Sequence, residues 1–158
     1  MTSDTTSERI VRSALELIAR QGAKKTDLAA VAHQAGVTRV TVYRYFGDKR
    51  GLVRAACLRI AGAFGRAAEK GSPDSVRDLD ARLMQLGSEL SALPQGNWLV
   101  RLEEIRRLYP DIYAEFRAVR EAAVDRLLEQ SLDAARRDGA LRDDLHPDIL
   151  RAIFWSSV

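Results

Sequence analysis

Residues 38–49 read Thr-Arg-Val-Thr-Val-Tyr-Arg-Tyr-Phe-Gly-Asp-Lys. Val42 and Phe46 have helical spacing and can turn inward together. That leaves Arg39, Thr41, Tyr43, Arg44 and Tyr45 to face outward. Hydroxyls and cations grouped at the start of a short helix suit hydrogen bonding to the acceptor-rich base edges and phosphates of a DNA major groove. This is recognition chemistry, with no group set up to make or break a covalent bond. These residues also have plainer readings: Tyr43 as half-buried packing, and Arg39 and Arg44 as surface charge.

Catalytic chemistry finds little support elsewhere. The two histidines, His33 and His146, lie far apart and outside any Glu-x-x-His spacing. His33 falls inside the segment just described, and His146 precedes a proline as a helix cap. No glycine-rich phosphate loop is present. Cys57 is the single cysteine, which excludes an intrachain disulfide and reads as an inert core thiol in a reducing cytoplasm. The carboxylates stand on helix faces beside arginines. An enzyme is therefore not expected, and neither a metal nor a cofactor is implied.

The elements that would position these residues are all helical. Ile10, Ala14, Leu17 and Val11, Leu15, Ile18 predict a helix over 7–21, with Ser7 as N-cap and Gly22 as stop. A short helix over 27–35 follows, capped by Thr26 and ended by Gly36, where a left-handed turn favours glycine. A third runs over 39–45 from the Thr38 cap, with Val37 and Val42 burying it and Phe46 plugging its end. A fourth starts after Asp48 and reaches about Lys70. Gly71-Ser72-Pro73 breaks the chain and opens a fifth helix, in which Val76, Leu79, Leu83, Leu86, Leu90 and Leu93 form an apolar seam. A sixth covers 98–108, a seventh runs from Pro110 to Asp138-Gly139, and an eighth begins near His146-Pro147 and carries Phe154, Trp155 and Val158. No strand pattern appears, so the fold class is all-α. The expected domains are a three-helix helix-turn-helix unit over 1–50 and a helical ligand-binding and dimerisation domain over 51–158.

Charge agrees with this division. Residues 1–70 carry 13 Lys and Arg against 6 Asp and Glu, a net of +7, and residues 71–158 carry 12 against 16, a net of −4. A basic end on an acidic remainder suits contact with a polyanion. No run approaches the about 18 apolar residues of a membrane helix, and the polar first residues contain no signal-peptide pattern. A cytoplasmic protein without a membrane partner is expected.

The segment from Ile10 to about Ala55 resembles the N-terminal domain of the tetracycline-repressor (TetR/AcrR) family. The matching residues are Leu28-Ala-Ala-Val-Ala32, Ala35-Gly-Val-Thr38, Val42-Tyr-Arg-Tyr-Phe46, Asp48-Lys49 and Leu52. The resemblance implies a sequence-specific DNA-binding regulator, most simply a ligand-released repressor on a palindromic operator. It places Thr38, Arg39 and Thr41 at the reading end of the third helix, with Val40 offering a methyl surface and Arg44 beside them. Tyr43, Tyr45, Lys49 and Thr26 take phosphate-holding positions, Lys49 at a helix N-terminus that already favours anions.

It also implies a homodimer and a pocket for a small hydrophobic or amphipathic effector, with Phe64, Met84, Trp98, Leu102, Tyr113 and Phe116 as candidate lining. Core packing is the plainer role for each of these. Arg101, Glu103, Glu104, Arg106 and Arg107 read as a solvated face. Against the family pattern the chain lacks a last C-terminal helix, so a weakened dimer is expected, with Phe154 and Trp155 in a half-completed patch. The alternative function is a helical ligand-binding or interaction module without regulatory DNA binding.

Overall fold

The computed structural model describes residues 5–68, 76–141, 146, 148–149 and 151–152, the side chains of residues 76, 77 and 79 excepted. Among them are seven helices and no strand: α1 (Thr6–Gln21), α2 (Leu28–Gln34), α3 (Arg39–Phe46), α4 (Lys49–Ala68), α5 (Val76–Ser91), α6 (Trp98–Leu108) and α7 (Pro110–Arg137). Lys70, the Ser72-Pro73 opening of the fifth helix, and Phe154, Trp155 and Val158 lie outside the described residues. None of the helices described is long and apolar enough to cross a membrane.

Local chemistry sets most helix ends. Helix α1 starts two residues earlier than Ser7 predicts, because Thr5 and Glu8 form a reciprocal capping box that Ser7, followed three residues later by Ile10, cannot make. Glu8 N–H donates to Thr5 Oγ1 (3.2 Å) and Thr5 N–H donates to the Glu8 carboxylate (2.7 Å). Gly22, at φ 86°, stops the helix. Asn97 caps α6 through Val100 N–H (3.2 Å), and Asp48 holds the first turn of α4 through Gly51 N–H (2.8 Å). Gly139 adopts φ 67° just past α7.

By packing, the chain forms two compact units. One compact unit joins Met1–Ala61 with Ser91–Ala118, and the other joins Gly62–Leu90 with Val119–Val158. The cause in the first unit is a core that draws on both ends of it. Val11, Leu15 and Ile18 of α1 pack with Val53, Ala56, Cys57 and Ile60 of α4, Ile105 of α6, and Ile112 and Phe116 of α7. A second cluster in the same unit joins Ile10, Ala14 and Leu17 to Leu28, Val31, Ala32, Val42 and Leu52. Arg50–Asp111 and Arg54–Glu115 ion pairs tie α4 to α7 at the rim. Arg50 holds the Asp111 carboxyl below its ordinary pKa, but with side chains 50% and 63% exposed the pair adds little stability.

In the other unit Ala67, Ala68 and Leu127 form a small cluster on which Leu86 packs. The expected leucine seam of α5 is only partly inward. Leu83 is 50% exposed, while the neighbouring Arg82 is buried and donates to Gln130 Oε1 (3.1 Å). Successive helix positions lie about 100° apart, so turning Arg82 inward carries Leu83 toward solvent.

Cys57 is 1% exposed, and burial first, then the Glu115 charge, pushes its thiol up to about 12. A buried neutral thiol is a poor nucleophile. Alkylation by iodoacetamide at pH 8 should therefore follow opening of the core and run to completion in denaturant. Fast modification of the native chain would show that the α1–α4–α7 core is not closed as described.

Candidate nucleic-acid interface

Helices α2 and α3 enclose a tight turn. Gly36 adopts φ 66° and its N–H donates to His33 O (3.1 Å), while Val37 N–H donates to Ala32 O (3.0 Å). Nothing lies within 4 Å of a Cβ built at Gly36, so glycine is needed there for its backbone angle and not for space. Thr38 then caps α3: its Oγ1 accepts from Thr41 N–H (3.2 Å) and lies 2.9 Å from Thr41 Oγ1. Gly47, at φ 75°, closes the helix with its N–H on Tyr43 O (2.8 Å).

Within α3 a single residue, Val42, is fully buried. Phe46 packs partly buried against both clusters of the unit. Arg39, Val40, Tyr43, Arg44 and Tyr45 are exposed, Val40 by 76%. The helix therefore presents its N-terminal end and one long face outward. Arg39 donates to the Tyr43 hydroxyl (3.0 Å) with its guanidinium 5.4 Å from the ring centroid, and Arg44 sits 5.5 Å from that of Tyr45. Such i,i+4 and i,i+1 contacts hold the two arginines along the helix surface.

Lys49 opens α4 immediately after this helix, and its Nζ donates to Lys24 O (2.7 Å). Lys24 and Lys25 are exposed in the α1–α2 loop. Thr26 is placed differently from the expectation. It is 3% exposed, and both its N–H (3.2 Å) and its hydroxyl (2.8 Å) donate to Gly22 O. The N-cap of α2 is Asp27, without a side-chain bond. Thr26 closes the loop from within, so its donors do not point to solvent.

Three residues of this site escaped sequence reasoning. A Cβ on Gly51 would run into the Phe46 carbonyl, so this glycine lets α3 end close against α4; a glycine in the first turn of a helix was the available signal. Arg101 and Glu104 do not belong to a solvated face. Their side chains are 23% and 17% exposed, while Glu103 and Arg106 form the open pair expected of that face. Arg101 Nε and Nη2 donate to Ala19 O (3.1 Å) and Arg20 O (3.0 Å), and Glu104 Oε1 accepts from Lys24 N–H (3.0 Å).

The candidate effector-lining residues fall in separate places. Phe116 is 2% exposed in the first unit's core, with Trp98, Leu102 and Tyr113 packed partly buried against it. Trp98 Nε1 donates to Pro94 O (2.9 Å). Phe64 and Met84 belong to the other unit, Phe64 half-buried and Met84 76% exposed.

An all-α chain with this turn, this cap and this outward helix is a helix-turn-helix protein. Residues 10–56 match the family model described as bacterial regulatory proteins, tetR family. The chain is 31% identical over 74 residues to the uncharacterized HTH-type transcriptional regulator YvkB of Bacillus subtilis, covering 47% of this chain and 39% of that protein. It is 25% identical over 131 residues to the HTH-type transcriptional regulator BetI of Yersinia pestis, covering 70% and 66%. It thus spans about two fifths of the first relative and 66% of the second. The solved fatty acid degradation regulator FadR from Bacillus halodurans shares the fold, at TM-score 0.65 and 18% identity, over 99% of this chain and 82% of that one. Residues 10–56 are thus similar to the tetR family of bacterial regulatory proteins, and the relatives the chain matches are named as transcriptional regulators, not enzymes.

Thr38→Ala removes the hydroxyl that satisfies the first turn of α3 and should cost about 1 kcal/mol. Thr38→Asp should restore most of it. Urea unfolding of the three proteins checks this, and an unchanged midpoint for Thr38→Ala would remove the cap from the account.

Proposed function

We propose that the chain is a sequence-specific DNA-binding transcriptional regulator whose α3 enters the major groove. The observation that carries this reading is the asymmetry of α3: one residue anchors it, and Arg39, Val40, Tyr43, Arg44 and Tyr45 are turned outward with Thr41 at the capped end. In this reading Arg39 and Thr41 meet base edges, and Val40 offers its methyl groups to thymine. Thr38, Tyr43, Arg44, Tyr45 and Lys49 hold phosphates and fix register.

The match of residues 10–56 to the tetR family supports the finer steps of the proposal. The regulator acts as a repressor and homodimer on a palindromic operator, and a small hydrophobic or amphipathic effector releases it. Trp98, Leu102, Tyr113 and Phe116, packed together in the first unit, are one set of candidate contacts for such a molecule, and Phe64 and Met84 are separate candidates within the other unit. Residues 1–50 serve as the reader and 51–158 as the effector-binding and dimerising part of this cytoplasmic protein.

Operator selection followed by quantitative binding tests the core of the proposal. Arg39→Ala should cost roughly 1–3 kcal/mol on the selected operator and relax one base position. Lys49→Ala should weaken binding to all duplexes and reduce the salt slope by about 1. Equal losses from both variants on specific and random DNA would remove the assigned division of labour.

The effector step has its own measurement. A small apolar or aromatic compound that binds the folded chain should raise its melting temperature with the logarithm of one plus concentration over Kd, and should shift Trp98 fluorescence. A broad compound screen that moves neither would discard the pocket.

A further inference from the structure

We infer that Arg101 and Glu104 of α6 are positioning residues for the phosphate-contacting edge of the reader. They set the α1–α2 loop in place, and with it the Lys24, Lys25 and Lys49 ammonium groups. This inference rests on the DNA-binding reading above.

The Lys24 peptide is held on both sides. Its N–H donates to Glu104 Oε1 (3.0 Å) and its C=O accepts from Lys49 Nζ (2.7 Å). The loop's internal shape is local: Thr26 donates back to Gly22 O, and Gln21 Nε2 donates to Lys25 O (3.1 Å). Its placement is not local, because the groups that grip it come from α4 and α6. Arg101 supplies the second grip, through the Ala19 and Arg20 carbonyls at the end of α1. The last carbonyls of a helix have no partner within it, and a cation there also meets the negative end of the helix dipole. Arg101 and Glu104 face each other at 3.9 Å on a partly buried surface.

Two glycines make room for this clasp. A Cβ on Gly22 would fall inside the Glu104 carboxylate, and Gly22 also stands at φ +86°. A Cβ on Gly96, just before α6, would lie 2.9 Å from Ala19 O. Helix α6 and its entry thus close on the α1 terminus as a fitted contact. Two fitted glycines, two bonded carbonyls and one bonded amide converge there. A solvated charged face shows none of these.

The sign of one measurement separates this role from simple electrostatics. Glu104 bears a negative charge against a surface proposed to meet a polyanion, so charge alone says that removing it tightens DNA binding. The clasp says the reverse. Glu104→Ala should bind random-sequence duplex DNA roughly tenfold more weakly, with a salt slope smaller by about 1. Glu104→Gln keeps an acceptor for the Lys24 N–H and should retain most of the affinity. The double variant Glu104→Ala/Lys49→Ala should lose less than the sum of the single losses, since both act on the Lys24 peptide.

Amide hydrogen exchange of the DNA-free protein tests the clasp without DNA. Lys24 should exchange faster in Glu104→Ala than in the parent or in Glu104→Gln. Equal or tighter DNA binding by Glu104→Ala overturns the inference, as does unchanged Lys24 exchange. Failure of the parent chain to bind any duplex overturns the DNA-binding reading instead, and leaves the exchange result to judge the clasp.

Discussion

Helix α1 is buried on two faces that serve two different cores. Ile10, Ala14 and Leu17 face α2, α3 and the start of α4, while Val11, Leu15 and Ile18 face α4, α6 and α7. The two stripes share the i, i+4, i+7 spacing and differ by one residue, or about 100° of rotation. Turning α1 to improve one contact would expose the other. A fully buried Ile, Leu or Val contributes about 1.5–3 kcal/mol, so either loss would consume much of a small domain's stability. The orientation of the helix-turn-helix against α4, α6 and α7 is therefore fixed by α1, and not by the ion pairs around it.

The same division recurs at the start of α4 and explains how little α3 needs to bury. Leu52 joins the cluster of the helix-turn-helix, and Val53, the next residue, joins the other. Phe46, at the end of α3, touches both. Because α3 is gripped at its end by Phe46, at its start by the Thr38 cap and in the middle by Val42, the exposed positions Arg39, Val40, Tyr43 and Arg44 carry little packing duty. They are available for recognition, and their substitution would leave the fold largely alone. That separation of duties is what a reading helix requires.

What was legible in the sequence was local. The Gly36 turn, the Thr38 cap, the Asp48 start, and Pro110 and Gly139 around α7 each announce a backbone state through one residue's chemistry. The family motif added specificity to a segment whose periodicity already indicated helices. What was not legible depended on distant partners. Thr26 has the composition of a cap, yet the loop folds its hydroxyl back onto Gly22 O. Arg101 and Glu104 look on a helical wheel like Glu103 and Arg106, and differ only in that α1 and its loop lie against them. Leu83 fits the leucine period of α5 and is turned out because Arg82 finds Gln130. The compact units cut across chain order for the same reason: residues 91–118 bury their apolar face on helices that precede them by some eighty residues.

The Arg39–Tyr43 contact bears on how the reader can be ordered before it meets DNA. A long exposed arginine loses rotamer entropy of about 1.5–2 kcal/mol when it is fixed. Here the Tyr43 hydroxyl accepts from the Arg39 guanidinium, and the ring lies beneath it. Part of that ordering is thus met in the free protein. The arrangement leaves Tyr43 its own proton, since a phenol that accepts one hydrogen bond still donates another. Under the proposed reading, Tyr43 can donate a hydrogen bond from its hydroxyl to a phosphate while its oxygen steadies Arg39 toward a base. Guanidinium offers five N–H donors, so the bond to Tyr43 leaves enough for the paired contact to a guanine. Phosphate contact and base contact are then coupled through one hydroxyl, and correct seating on the backbone would help aim the residue that reads the sequence.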